Sequence, residues 1–249
     1  MSVQPNLFQK QIRFLAEHGW SSISLTQVAN LLREDKKIPK KSVVLTFDDA
    51  MTSVLEYAVP ILQKYNMTGT TFVVTGQIGQ NPQWYRLHQR YRAEPLLSRK
   101  GLDCLAKHGW ELHPHTHEHP VLSHLPLEVQ AEQIAKSRDC IRSWFGTEGD
   151  VLAYPFGQWN EDTKKAMQMA EMSIGLTLRF SAQVSTEDYY TWPRIGSAWF
   201  KKSKIRQQLA LAGILESYVK LRQKIKGDRS QFFLNPSEET TRGLLNKAD

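Results

Sequence analysis

The stretch VVLTFDD, Val43 to Asp49, sets two adjacent carboxylates immediately after a run of apolar, strand-forming residues. In parallel α/β folds, catalytic side chains gather at the carboxyl ends of strands, which is where this acidic pair falls. A second strand-like run, Trp110 to Pro114, leads into HTHEH, with His115 and His119 four residues apart. That spacing lets both imidazoles reach one ion from a single helical turn or a tight loop. One carboxylate with two imidazoles suits zinc and leaves positions open for water and substrate, the pattern of a catalytic site. The other carboxylate is then a free base beside it. Alone, an Asp-Asp pair reads as a capped turn, and a His-rich pentapeptide as a solvated loop. Together the two motifs point to a metal-dependent hydrolase.

Outward from this stretch, helix and strand signals alternate. Pro5 to Glu17 carries Leu7, Phe8, Ile12 and Leu15 at helical spacing, with Gly19 as its stop. A second short helix is predicted to follow Thr26 as N-cap. After the basic loop Glu34 to Lys41 comes the strand Val43 to Phe47, and Pro60 is placed to open the next helix. Thr70 to Thr75 is β-branched and aromatic, hence a strand. Ser98 caps a helix ending near Gly109, and Trp110 to Pro114 is the next strand. Pro126 opens the longest helix, with Ile134, Ser137, Ile141 and Trp144 on one stripe and Gly146 past its end. Val151 to Tyr154 is a strand, Asn160 caps another helix, and Ile174 to Leu178 is the last strand. This alternation predicts α/β architecture with a mostly parallel sheet, either a barrel or a doubly wound layer. Asp48, Asp49, His115 and the segment Pro155 to Gly157 each follow a predicted strand, so they are expected to converge.

The chain has 249 residues, 41% of them hydrophobic, with 7 Trp, which suits one sizeable core. The expected organisation is a catalytic domain over 1–226 and a polar tail over 227–249. Net charge of +7 suits an anionic surface or polymer, and no nucleic-acid partner is expected from charge alone. Lys201 to Lys226 reads as a basic helix with a weak contact to an anionic surface as its expected role. Cys104 and Cys140 read as small buried hydrophobes in a reducing compartment. The sequence carries no apolar run of transmembrane length and no signal-peptide core, so it reads as cytoplasmic as written.

At this point LTFDDA, HTHEH followed by PVL, and AYPFG resemble, in order and approximate spacing, the polysaccharide deacetylase (NodB-homology) domain, carbohydrate esterase family four. The resemblance covers roughly residues 3–200. The AYPFG form is closer to the branch acting on poly-N-acetylglucosamine than is the RPPYG form of the chitin and peptidoglycan enzymes. The resemblance implies a distorted (β/α) barrel whose first strand would precede residue 3 and is lacking here. Either a trimmed N-terminus or a misplaced gene start would account for that, and the cell envelope would be the location if the N-terminus is truncated. It further implies an N-acetylated glycan as substrate, a divalent metal on Asp49, His115 and His119, and Asp48 as base. A backbone N–H near Phe156 and Gly157 would meet the oxyanion, and Trp159 leads the aromatics, with Trp84, Tyr85, Trp192 and Trp199, that could line a sugar cleft.

The departures are specific. The family's FDDG is FDDA here, so Ala50 stands in the glycine position, a mild change unless that residue needs positive φ. The Arg of RPPYG corresponds to Ala153, leaving Arg194 of TWPRI as the candidate to orient Asp48. The late Leu-x-x-x-His motif that supplies the usual catalytic acid has no counterpart, since no His follows His124. Asp48 acting twice, or His113, His117 or His124, would have to supply that proton. Rival readings are a barrel amidohydrolase on a small cyclic amide and a non-catalytic carbohydrate-binding relative.

Overall fold

The computed structural model describes residues 3–82, 84, 94–178 and 188–196. The predicted basic helix Lys201 to Lys226, the tail, Tyr85 and Trp199 lie outside them. Helix α1 (Pro5–Glu17) starts on its proline and buries Ile12 and Leu15, and Gly19 at φ 75° turns the chain out of it. Strand β1 (Ser21–Ser22) follows and pairs in parallel with β2 (Ser42–Val43). Between them lies α2 (Leu25–Arg33). Its N-cap is Ser24 rather than Thr26. Ser24 Oγ accepts from Gln27 N–H at 3.0 Å, and Gln27 Oε1 accepts from Ser24 N–H at 3.0 Å, a complete capping box. The Thr26 N–H instead donates to Glu111 Oε1 at 3.2 Å.

The run Val43 to Phe47 is divided. Its first part is β2, and its last part, β3 (Thr46–Phe47), pairs in parallel with β4 (Thr70–Val73). One extended stretch thus serves two neighbours. Pro60 does not open the following helix. A π-helical segment, Val54–Ala58, is already under way before α3 (Val59–Gln63). Its wider turn suits a proline, which has no N–H to return to the ladder. Helix α4 (Arg99–Lys107) is capped by Ser98, and β5 (Glu111–Pro114) pairs in parallel with β4, His113 opposite Phe72. Helix α5 (Leu127–Phe145) ends on Gly146 at φ 64°. Strand β6 (Val151–Ala153), helix α6 (Glu161–Met169, capped by Asn160) and β7 (Ile174–Leu176) complete the series, β6 pairing in parallel with β7.

Among the described residues every strand ladder is parallel, as the alternation of elements required, and one isolated antiparallel bridge joins Met51 to Leu96. Strand β6 shows where the core sits. Val151 and Ala153 join Phe72, Ile174, Leu176 and Trp192, together with Leu25, Val28 and Ala29 of α2, in one apolar cluster. Leu152 and Tyr154 join Ile134 of α5 and Ala166 and Met167 of α6 in another. A strand buried on both faces belongs to a parallel sheet covered by helices. Residues 3–178 and 188–192 fall in one compact unit, and 193–196 in a second. Among the described residues no helix is long and apolar enough to cross a membrane. Cys104 and Cys140 are both free and only partly buried, so the expectation of buried cysteines is not met.

Candidate metal centre

Three loops at the carboxyl ends of β3, β5 and β6 build the site. Asp49, His115 and His119 are all buried, and one ligand atom from each lies within 4.8 Å of the others. Asp49 Oδ1 is 3.3 Å from His119 Nε2 and 3.5 Å from His115 Nε2. The backbone reaches this geometry through left-handed conformations at non-glycine residues: Asp49 (φ 71°), Ala50 (55°), Thr116 (65°), His119 (63°) and Phe156 (59°). Such residues are uncommon, cost free energy, and cluster at functional sites. Ala50 therefore does occupy a position that favours glycine, and the change from FDDG to FDDA is not mild.

The surroundings hold these loops. Leu97 N–H donates to Ala50 O at 2.8 Å, and Glu94 accepts from Thr52 Oγ and Ser53 N–H. His119 N–H donates to Thr116 Oγ1 at 3.0 Å. His115 Nδ1 donates to Ala153 O at 2.7 Å, the second-nitrogen anchor typical of a metal-binding imidazole. The carbonyl of the residue standing at the RPPYG arginine position thus orients a ring of the site.

The electrostatics fit a cation. Burial pushes the Asp49 carboxyl up, but the hydrogen bond from His119 and the charges of His115 and His119 outweigh it, and Asp49 lies below its ordinary value. Burial holds His115 below its ordinary value, against the pull of Asp48 and Asp49. A neutral His115 that donates through Nδ1 turns its Nε2 lone pair toward the carboxylate. Two facing acceptors in a buried pocket call for a positive charge between them, and a carboxylate with two imidazoles is a fitting donor set for a divalent ion.

The remaining expected residues separate. Asp48 is partly exposed, and its charge acts on both Asp49 and His115. The Phe156 ring meets His119 edge-on at 4.8 Å. Gly157 N–H is committed to Tyr154 O at 2.8 Å, which removes it as an oxyanion donor. Trp159 packs against the α5–α6 cluster with Lys164 over its ring at 4.8 Å, so its structural role is packing. Trp192 is core. The aromatic face against the site is Trp84, stacked on His119 at 4.0 Å between centroids and 16° between planes. Nothing in sequence spacing favoured it over Trp159. The partly exposed His117 ring bonds Thr75 Oγ1 through Nδ1 at 3.0 Å. Arg194 lies in the second unit.

A family profile described as polysaccharide deacetylase matches residues 35–175. This chain belongs to that family. It is 31% identical over 203 residues to the poly-beta-1,6-N-acetyl-D-glucosamine N-deacetylase of Staphylococcus epidermidis, covering 78% of this chain and 67% of that protein. It spans 63% to 67% of the length of the curated relatives it matches first. Among solved structures, Streptococcus pyogenes deacetylase PplD, in complex with acetate, aligns with a TM-score of 0.67 and 26% identity, covering 78% of this chain and 80% of that one. IcaB from Ammonifex degensii aligns with a TM-score of 0.71 over 86% of this chain and 90% of that one; at 22% identity it bears on the fold alone. The α/β fold is thus that of the polysaccharide deacetylases, as the three motifs implied.

Proposed function

We propose that this chain is a metal-dependent N-deacetylase of an N-acetylglucosamine polysaccharide or oligosaccharide, with zinc as its ion. The observation that carries the reading is the buried Asp49–His115–His119 group with the Asp48 charge beside it. A divalent ion held by those three side chains supplies positive charge that polarises an amide carbonyl and acidifies a water. Asp48 takes the proton of the attacking water as the carbon–oxygen bond forms. The Phe156 N–H is the backbone donor offered to the oxyanion. Asp48 then returns its proton to the leaving nitrogen as the carbon–nitrogen bond breaks, giving acetate and a free amine.

The surroundings of the other histidines support Asp48 in both steps. His113 is buried over Phe72, His117 is tied to Thr75, and His124 is exposed in a short turn. The test is acetate and primary amine released from β-1,6-linked N-acetylglucosamine oligomers by zinc- or cobalt-loaded protein. Turnover of a small cyclic amide instead, or binding of the oligomer with no acetate, would overturn the reading.

A further inference from the structure

The two histidines of the centre are held in different ways. His115 is tied through Nδ1 to the Ala153 carbonyl at 2.7 Å. His119 Nδ1 is buried and has no hydrogen-bond partner among the described residues. Its backbone is left-handed, so local conformation does not favour its placement either. Apart from the Nε2 contact with Asp49, packing orients the ring. Trp84 lies flat on one face at 4.0 Å, and Phe156 and His115 meet it edge-on at 4.8 and 4.9 Å. Between these three rings, Nε2 is kept toward Asp49 Oδ1.

We propose that Trp84 is a positioning residue for His119, its stacked indole replacing the acceptor that a metal-binding imidazole ordinarily has; this rests on the metal-centre reading above. An imidazole that shares its lone pair with a cation becomes electron-poor, and an indole face attracts such a ring more than a neutral one. The stack therefore favours the metal-loaded state over the empty one. Nearby, Leu96 N–H donates to Gln80 O at 2.9 Å and Gly79 N–H to Leu97 O at 3.0 Å. Leu97 N–H in turn donates to Ala50 O, next to Asp49.

The experiment is cobalt binding by the full chain and by W84A and W84F, read by chelator competition, by the visible cobalt band and by indole fluorescence. Loss of an outer partner ordinarily weakens metal binding about 10- to 100-fold, and W84A is expected to do so and to alter the cobalt band. W84F should stay within about threefold of the parent, because a smaller aromatic face still stacks. Cobalt should quench the parent's fluorescence more than that of W84F, an outcome that does not depend on how well W84A folds. Parent-like affinity and cobalt band in W84A, with equal quenching in parent and W84F, would overturn the proposal. Failure of the parent itself to bind cobalt would instead overturn the metal-centre reading on which it stands.

Discussion

Asp48 and Asp49 are neighbours in the chain with opposite fates, and single substitutions should separate them. Asp48→Asn keeps shape and removes proton affinity, so metal content should persist while turnover falls by about 10² to 10⁴, the usual worth of a positioned base. His115→Ala removes a ring that faces the Asp49 carboxylate, and metal content should fall with activity. Metal analysis of the purified variants checks both, and loss of metal in Asp48→Asn would make that carboxylate a ligand. The acidic pair and the two histidines were legible because chemistry fixes their type and spacing. Ala50 was not: an alanine at φ 55° leaves no trace in composition, since its cost is conformational. Trp159 was ranked ahead of Trp84 because the ring that Trp84 meets, His119, is distant in sequence.

Among the elements, the turn after β4 carries a close approach that only glycine permits. A Cβ on Gly76 would stand 2.7 Å from His117 O, the oxygen that accepts the Gly76 N–H at 2.8 Å. Gly76→Ala must push this turn away from the His115–His119 loop. We expect a loss of about 1–3 kcal/mol, measured by urea unfolding, together with weaker metal binding. An unchanged midpoint would show that the turn yields freely. Long periodic helices such as α5, and the apolar runs of β4 to β7, were legible to within a few residues. Strand β1 was not, because Ser21–Ser22 has neither length nor β-branched character and exists only through its pairing with β2. The start of α3 was misplaced for a related reason. Proline usually marks a first turn, and a π-helical segment that accommodates it later has no pattern in sequence.

Over the whole molecule, two buried imidazoles contribute to the response to acid. Burial holds both His113 and His115 below their ordinary value of 6.5. The unfolded chain protonates these rings readily and the folded chain resists, so unfolding takes up protons. Their contribution is complete above the unfolded value and declines as pH falls below it. Asp49, below its ordinary 3.8, acts in the same sense at lower pH. Metal-free protein should therefore melt at lower temperature at about pH 5.5 than at about pH 7.5, since His titrates between them. A flat or opposite profile in a thermal scan would contradict the burial of these rings.

The bond from His115 Nδ1 to the Ala153 carbonyl has a mechanical meaning as well. Among the described residues, β3–β4–β5 and β6–β7 share no ladder, yet this bond joins the end of one group to the end of the other. The seam between them is buttoned at the reactive centre. An ion on His115 and Asp49 would pull the button tight, and at a hundredfold excess over its dissociation constant would add about 2.7 kcal/mol to the folded state. Amide exchange gives the readout. Zinc should slow deuterium uptake most along β6 and the loop after β5, and far less in α1, which supplies no residue to the centre.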